Sequence, residues 1–147
     1  LFFRIVKPNK AYLGEKDFQQ LQIVKKLVEI ENLPIKIIGC PIIRENSGLA
    51  MSSRNKRLNN EQLNEAILIY QTLLKVKENV KLLSISKLNQ LVEKEFKNHN
   101  YLTLEYFEIA DTETLKTAIY KSKKKKYRAF IASFIGGVRL IDNMALN

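Results

Sequence analysis

Between Ala11 and Gly39 the chain reads strand, helix, strand, and the joints are too short for much else. Ala11-Tyr12-Leu13 is an apolar run ending at Gly14 and predicts a buried strand. From Asp17 to about Glu31 the apolar residues Phe18, Leu21, Val24, Leu27 and Val28 recur at helical spacing, and Asn32 and Pro34 close the run. Ile35-Lys36-Ile37-Ile38-Gly39 predicts a second strand. Two strands joined through one helix over so short a span are expected to be parallel neighbours with a right-handed crossover. They cannot bury their own apolar faces, so the expectation is half of an α/β domain whose other half lies outside the chain. Such a piece would expose an apolar sheet edge and helix face, which favour association or swapping.

The flanking residues complete the outline. Leu1–Lys7 stops at Pro8 and reads as the tail of a helix; the chain starts without Met, as if cut from something longer. Pro41–Gly48 reads as a connector. Asn59 or Asn60 can cap a helix with Leu63, Ala66, Ile67, Tyr70 and Leu74 on one face, running to about Val80. Ser86 can cap a second, with Leu88, Leu91, Val92 and Phe96. Leu102–Ile109 predicts a strand, and Asp111 or Thr112 opens a short helix with Leu115, Ala118 and Ile119. Arg128–Ile135 is nearly all apolar, as a central strand would be. Gly136-Gly137 then turns into a return strand, Val138–Ile141. The predicted fold is an α/β fragment over residues 1–41, followed by a small α+β domain with an antiparallel sheet over residues 42–147.

Composition narrows the function classes. With 46% hydrophobic and 27% charged residues the chain is globular rather than disordered, and no apolar run nears the roughly 20 residues of a membrane span. No signal peptide is visible, and the single cysteine, Cys40, precludes an internal disulfide, which fits a cytoplasmic setting. Cys40 reads as a small buried residue, without a histidine partner for thiol catalysis. The net charge of +10 suits polyanions. The run Lys121, Lys123, Lys124, Lys125 and Lys126 raises a basic nucleic-acid-binding module as an alternative, but no aromatic platform is interleaved with it and a solvated turn is expected there. The one histidine, His99, reads as an exposed loop residue with no metal-ligand neighbours in sequence.

Two stretches carry chemistry. Gly48-Leu49-Ala50-Met51-Ser52-Ser53-Arg54-Asn55 is either a surface loop capping the next helix or a phosphate-binding loop offering backbone N–H groups, two hydroxyls and a guanidinium. Gly14-Glu15-Lys16-Asp17-Phe18-Gln19-Gln20 sits where a strand ends and a helix begins, the usual ligand position of an open α/β sheet. There the helix N-terminus and Lys16 suit phosphate, and Gln20, one turn on, shares a face with Lys16. The plainer alternative is a turn glycine, two acidic residues complementing the helix dipole and a solvated lysine.

These two stretches sit in order along the chain with Ile38-Gly39-Cys40-Pro41 and Arg139-Leu140-Ile141-Asp142-Asn143, and with them the chain resembles, along its whole length, the C-terminal half of the pantoate–β-alanine ligase (pantothenate synthetase) family. The resemblance implies ATP-dependent condensation of pantoate with β-alanine: pantoate attacks the α-phosphorus of ATP, giving pantoyl adenylate and pyrophosphate, and β-alanine then displaces AMP. It implies the end of a Rossmann-like nucleotidyltransferase domain followed by a lid. In that reading Gly14, Glu15, Lys16, Asp17, Ile43, Met51, Ser52, Ser53 and Arg54 contact ATP, and Lys16, Ser52, Ser53 and Arg54 are catalytic. Gly14 and Asp17 lie against the ribose, Lys16 contacts the α-phosphate, Ile43 meets the adenine through its backbone, and Gln20 holds pantoate. Residues 51–54 close on the phosphates. ATP enters as its Mg²⁺ complex; the intact enzyme is a homodimer, with no membrane or nucleic-acid partner.

The chain departs from the family pattern in one large respect. The histidine-containing motif of the N-terminal half is absent, as are the acidic residues near Mg²⁺ and a second glutamine for pantoate. The expectation is half an active site, inactive alone and completed by the missing half. The competing possibility is an isolated non-enzymatic domain acting in assembly.

Overall fold

In the computed structural model, which describes residues 2–97, 99 and 101–147, the chain forms two units, one ending at Ile42 and one spanning Ile43–Asn147. The first contains α1 (Phe2–Val6), β1 (Lys10–Gly14), α2 (Phe18–Ile30, entered through the 3-10 turn Glu15–Asp17) and β2 (Lys36–Cys40). β1 and β2 are parallel, in register from Lys10 opposite Lys36 to Gly14 opposite Cys40. Leu21, Phe18 and Ile35 are buried. Gly39 permits close packing: a Cβ there would stand 3.1 Å from Leu21 Cδ2 and 3.3 Å from Glu15 Oε1, so α2 and its entry turn lie tight on β2. The Arg4 guanidinium pairs with Glu31 and ties α1 to the end of α2.

The expected burial of β1 is corrected. Its residues alternate between exposed and half-buried, and Tyr12 is 65% exposed. Ile23, Leu27 and Ile30 of α2 are exposed as well, and Cys40 is half-buried. Two strands and one helix cover only one face of each other, as their number dictates.

The second unit contains the 3-10 turn Ser53–Arg57, α3 (Asn60–Asn79), α4 (Ile85–Phe96), β3 (Leu102–Asp111), β4 (Tyr127–Ile135) and β5 (Val138–Ala145). The sheet is antiparallel in the order β3-β4-β5. α3 starts with a reciprocal cap: Asn59 Oδ1 accepts from the Gln62 N–H at 2.9 Å, and Gln62 Oε1 accepts from the Asn59 N–H at 3.0 Å. α4 starts at Ser84 rather than Ser86; the Ser84 Oγ accepts from the Lys87 N–H, and this start places Ile85, Leu88, Val92 and Phe96 on one buried face. One core joins Ile69, Leu73 and Val76 of α3, Leu88 and Val92 of α4, and Ile109, Ile131, Ile135 and Leu140 of the sheet. β4 is the central strand and is buried at every residue except Phe134.

β3 does not keep a single alternation. A bulge between Leu104 and Tyr106 moves the core-facing parity from Leu102 and Leu104 to Phe107 and Ile109, leaving Tyr106 partly exposed. The sequence carries apolar residues on both parities, and the extra residue reconciles them. His99 lies outside helix and strand and is half-buried; its neighbours Asn98 and Asn100 fall outside the described residues.

The expected helix after Asp111 is also corrected. Asp111 Oδ1 accepts from the N–H groups of Glu113 and Thr114 and from the Thr114 hydroxyl, and the Leu115 N–H closes one turn on the Asp111 carbonyl. Leu115 then takes φ +57° and the chain folds back to bridge Ala110 with Thr117. The carboxylate satisfies the N–H groups that would otherwise start a helix, and the left-handed residue ends the turn. Within the basic run, Lys121 Nζ donates to the carbonyls of Val80 and Leu83 just past α3, and Lys125 pairs with Asp111 at 3.2 Å.

The Thr114 N–H bond, with Lys125, Glu113 and the Thr114 hydroxyl, holds the Asp111 carboxyl at about 2, against burial that pushes the other way. The folded pKa is depressed, so its stabilisation is full above the ordinary carboxylate pKa and is lost as pH falls from about 4 to about 2. Thermal melts followed by circular dichroism across that window should show the parent losing Tm more steeply than Asp111→Asn, which keeps the acceptor oxygen but cannot titrate. Parallel slopes would refute the assignment.

Candidate functional site

The second unit opens with a tight hairpin that presents Met51–Arg54. Arg44 and Ala50 form an antiparallel bridge; the Glu45 N–H donates to the Leu49 carbonyl, the Gly48 N–H to that of Glu45, and the Met51 N–H to that of Ile43 at 2.9 Å. Leu49 and Ala50 are buried, which roots the loop while Ile43 and Met51 stay exposed. Ser52 is extended, and its Oγ accepts from the Arg54 N–H at 3.2 Å, capping the 3-10 turn. The same hydroxyl still has a proton to donate. Asn55 is buried and its Nδ2 donates to the Ala50 carbonyl, so the turn folds back on its own root. Ser53 and Arg54 remain exposed.

A second layer of contacts fixes this hairpin. Arg44 Nη1 and Nη2 grip Asp142 of β5 at 2.6 and 3.0 Å, and Nη1 also donates to the Gly48 carbonyl at 3.0 Å. The guanidinium carbon lies 4.2 Å from the centre of the Tyr70 ring of α3. Gly48 has φ +90°, and a Cβ there would stand 2.1 Å from Tyr70 Cδ1, so both conformation and space require glycine. On β5, an edge strand, the Arg139 carbonyl accepts from Arg54 Nη1 at 3.4 Å. The Arg139 side chain is bound to Glu105 at the β3 bulge, which raises its pKa above the usual arginine value. Sequence reasoning gave Arg44, Tyr70 and Asp142 no part in the site. Arg44 read as connector and Tyr70 as core, and the partner of Arg44 stands 98 residues away, beyond any local pattern.

In the first unit Gly14 ends β1, Glu15–Asp17 form the 3-10 turn, and Gln20 lies exposed in the first turn of α2, four residues after Lys16. The N-cap residue of the 3-10 turn is Gly14 and that of α2 is Asp17, and neither makes a side-chain cap bond. Glu15 packs against Gly39, and Lys16 is half-buried. Gly14–Asp17 and Gln20 thus cluster at the carboxyl end of β1 in one unit, and Ile43 and Met51–Arg54 cluster in the other. A helix start beside a lysine can receive an anion, as can two hydroxyls beside a guanidinium. Among the described residues, no group of three or more His, Cys, Asp or Glu side chains is placed to hold a metal ion.

The family model for pantoate-beta-alanine ligase matches residues 1–145. The pantothenate synthetase of Christiangramia forsetii is 54% identical over 145 residues, covering 99% of this chain and 51% of that protein. That of Flavobacterium psychrophilum is 50% identical over 144 residues, with 98% and 51% covered. Among solved structures, pantothenate synthetase from Thermus thermophilus superposes with a TM-score of 0.89 at 32% identity, over 99% of this chain and 52% of that one. A pantoate-beta-alanine ligase from Francisella tularensis, complexed with beta-gamma ATP and beta-alanine, gives 0.68 at 34% identity, with 99% and 46% covered. The chain spans about half the length of the curated relatives it matches. Hairpin, strand-to-helix turn and family match agree along the sequence: this chain belongs to the pantoate-beta-alanine ligase family.

Proposed function

We propose that this chain supplies the carboxyl-terminal half of a pantoate–β-alanine ligase, in which ATP and pantoate form pantoyl adenylate and pyrophosphate and β-alanine then displaces AMP. The observation that carries the reading is the hairpin at Met51–Arg54. It leaves two hydroxyls and a guanidinium accessible on a loop fixed from behind, which is what a triphosphate requires. In this reading residues 1–41 end a Rossmann-like ATP- and pantoate-binding domain, and residues 42–147 form the lid.

Each residue then has a task set by its chemistry. Gly14 and Asp17 lie against the ribose, with Glu15 beside them. Lys16 holds charge as it builds on the α-phosphate during attack. Gln20, one turn on, holds the pantoate. Ile43 meets the adenine through its backbone. Ser52 and Ser53 donate their hydroxyl protons to phosphate oxygens, Arg54 grips the phosphates with its planar fork, and Met51 closes beside them. Reactions of this kind ask the protein chiefly for positioning and charge stabilisation. Among the described residues no group of side chains is placed to hold a divalent cation, so Mg²⁺ would arrive on the nucleotide's own phosphates, and no step is assigned to it. The exposed Tyr12, Ile23, Leu27 and Ile30 suit a unit completed by the other half of the enzyme, in a cytoplasmic homodimer.

Two measurements test this. The 147-residue chain with ATP, Mg²⁺, pantoate and β-alanine should release no pantoate-dependent AMP, whereas the same chain joined to the amino-terminal half of the Christiangramia forsetii relative should. In that chimera, Lys16→Ala should leave the melting temperature unchanged and cut adenylate formation by about 100-fold or more, the usual cost of losing one such contact. Near-parent turnover by Lys16→Ala would remove its role, and turnover by the chain alone would show that half a site suffices.

A further inference from the structure

We propose that the Arg44–Asp142 pair, seated on Tyr70 and closed by Gly48, is a positioning device for the Ser52-Ser53-Arg54 loop, so that Asp142 governs triphosphate binding without touching it. The pair is built for rigidity. The Asp142 side chain is 2% exposed and that of Arg44 19%. Both carboxylate oxygens are used: Oδ2 takes Arg44 Nη1, while Oδ1 takes Nη2 and the Asn143 N–H at 2.7 Å. The arginine fork is further fixed by the Gly48 carbonyl and the Tyr70 ring. A planar fork held at two oxygens, one carbonyl and one ring face has no alternative rotamer of similar energy.

Position makes this a matter of the loop rather than of the core. Gly48 closes the hairpin's turn on the Glu45 carbonyl, and Arg44, just before that turn, bridges Ala50, two residues before Ser52. β5 therefore holds the loop twice, at Asp142 before Ser52 and at the Arg139 carbonyl, which receives Arg54. A buried carboxylate that loses its arginine, or the reverse, is left uncompensated, and the cheapest relief is for the hairpin to lift and admit water.

The triphosphate half of the proposal rests on the functional reading above, so the test separates the two. Amide hydrogen exchange on the 147-residue chain reads the device directly. In Asp142→Asn the Gly48 and Met51 amides, hydrogen-bonded within the hairpin, and the Asn55 amide, bonded to Ser52 in the turn after it, should exchange at least about tenfold faster, with β4 amides unchanged. Arg44→Lys, which keeps the charge but loses the fork, should speed exchange of the same amides. Gly48→Ala, which pushes the turn off Tyr70 with the ion-pair residues intact, should reproduce the effect should Asp142→Asn fail to fold. Parent-like exchange in these amides, or acceleration spread equally through β4 in both variants, would overturn the proposal. Activity of the chimera then reads the consequence: Asp142→Asn should raise KM for ATP by about tenfold, with kcat far less affected. A KM raised by Arg54→Ala but not by Asp142→Asn refutes the positioning role. A KM unmoved by Arg54→Ala, with the loop still loosened by Asp142→Asn, refutes the phosphate reading and leaves the device standing as a loop anchor.

Discussion

A carboxylate on the last strand and a guanidinium at the head of a hairpin account for most of what is specific to the second unit. The hydrophobic core under α3 and α4 is of a kind many sequences could build. The Asp142–Arg44 pair is not, because burying two charges is tolerable only when every oxygen and N–H at the contact has a partner. That demand sets the neighbouring choices. It asks for an aromatic face at Tyr70, a glycine at Gly48 where any Cβ would strike that face, and a turn tight enough to point the Gly48 carbonyl inward. A loop held this way needs little further ordering to grip an anion, and the entropy of ordering is a large part of what weakens flexible sites.

The parts of the fold legible in the sequence were those written locally. Helical spacing from Phe18 and from Leu63 gave α2 and α3, Asn59 is the one of the two candidate asparagines that caps, and the apolar run before Gly136-Gly137 gave β4 and the hairpin to β5. The misreadings share a cause: a side chain or a neighbour outranked the local pattern. Ser86 was read as the start of α4, and burial of Ile85 decides for Ser84. Asp111 looked like a helix cap and instead spends its oxygen on a single turn. The β3 run looked like one alternation and is two, joined at a bulge that frees Glu105 to hold Arg139. In the candidate site, Ser53 and Arg54, picked out from composition and order, stand exposed. Arg44, Tyr70 and Asp142 were given no part, since their meaning lies in contacts between separate elements, Arg44 and Asp142 standing 98 residues apart.

The excess of positive charge also changes meaning once the fold is seen. Lys121 closes the carbonyls past the end of α3, Lys125 balances Asp111, Arg44 balances Asp142, and Arg139 balances Glu105. Some of the basic residues that suggested a polyanion surface therefore have structural duties, and the lysine run is in part a clip holding two turns together. Arg54 differs: it is exposed, and its bond to the Arg139 carbonyl is long, so its charge remains for something else.

The span between Arg44 and Asp142 has a consequence for synthesis. The hairpin leaves the ribosome long before its anchor exists, and the sheet that presents the anchor is itself built from distant pairings. Until β5 docks, Arg44 lacks its carboxylate and the hairpin lacks the contact that fixes it. The loop proposed to bind nucleotide is thus among the last parts to become competent, and an unfinished polypeptide has no fixed phosphate grip with which to hold the cell's ATP.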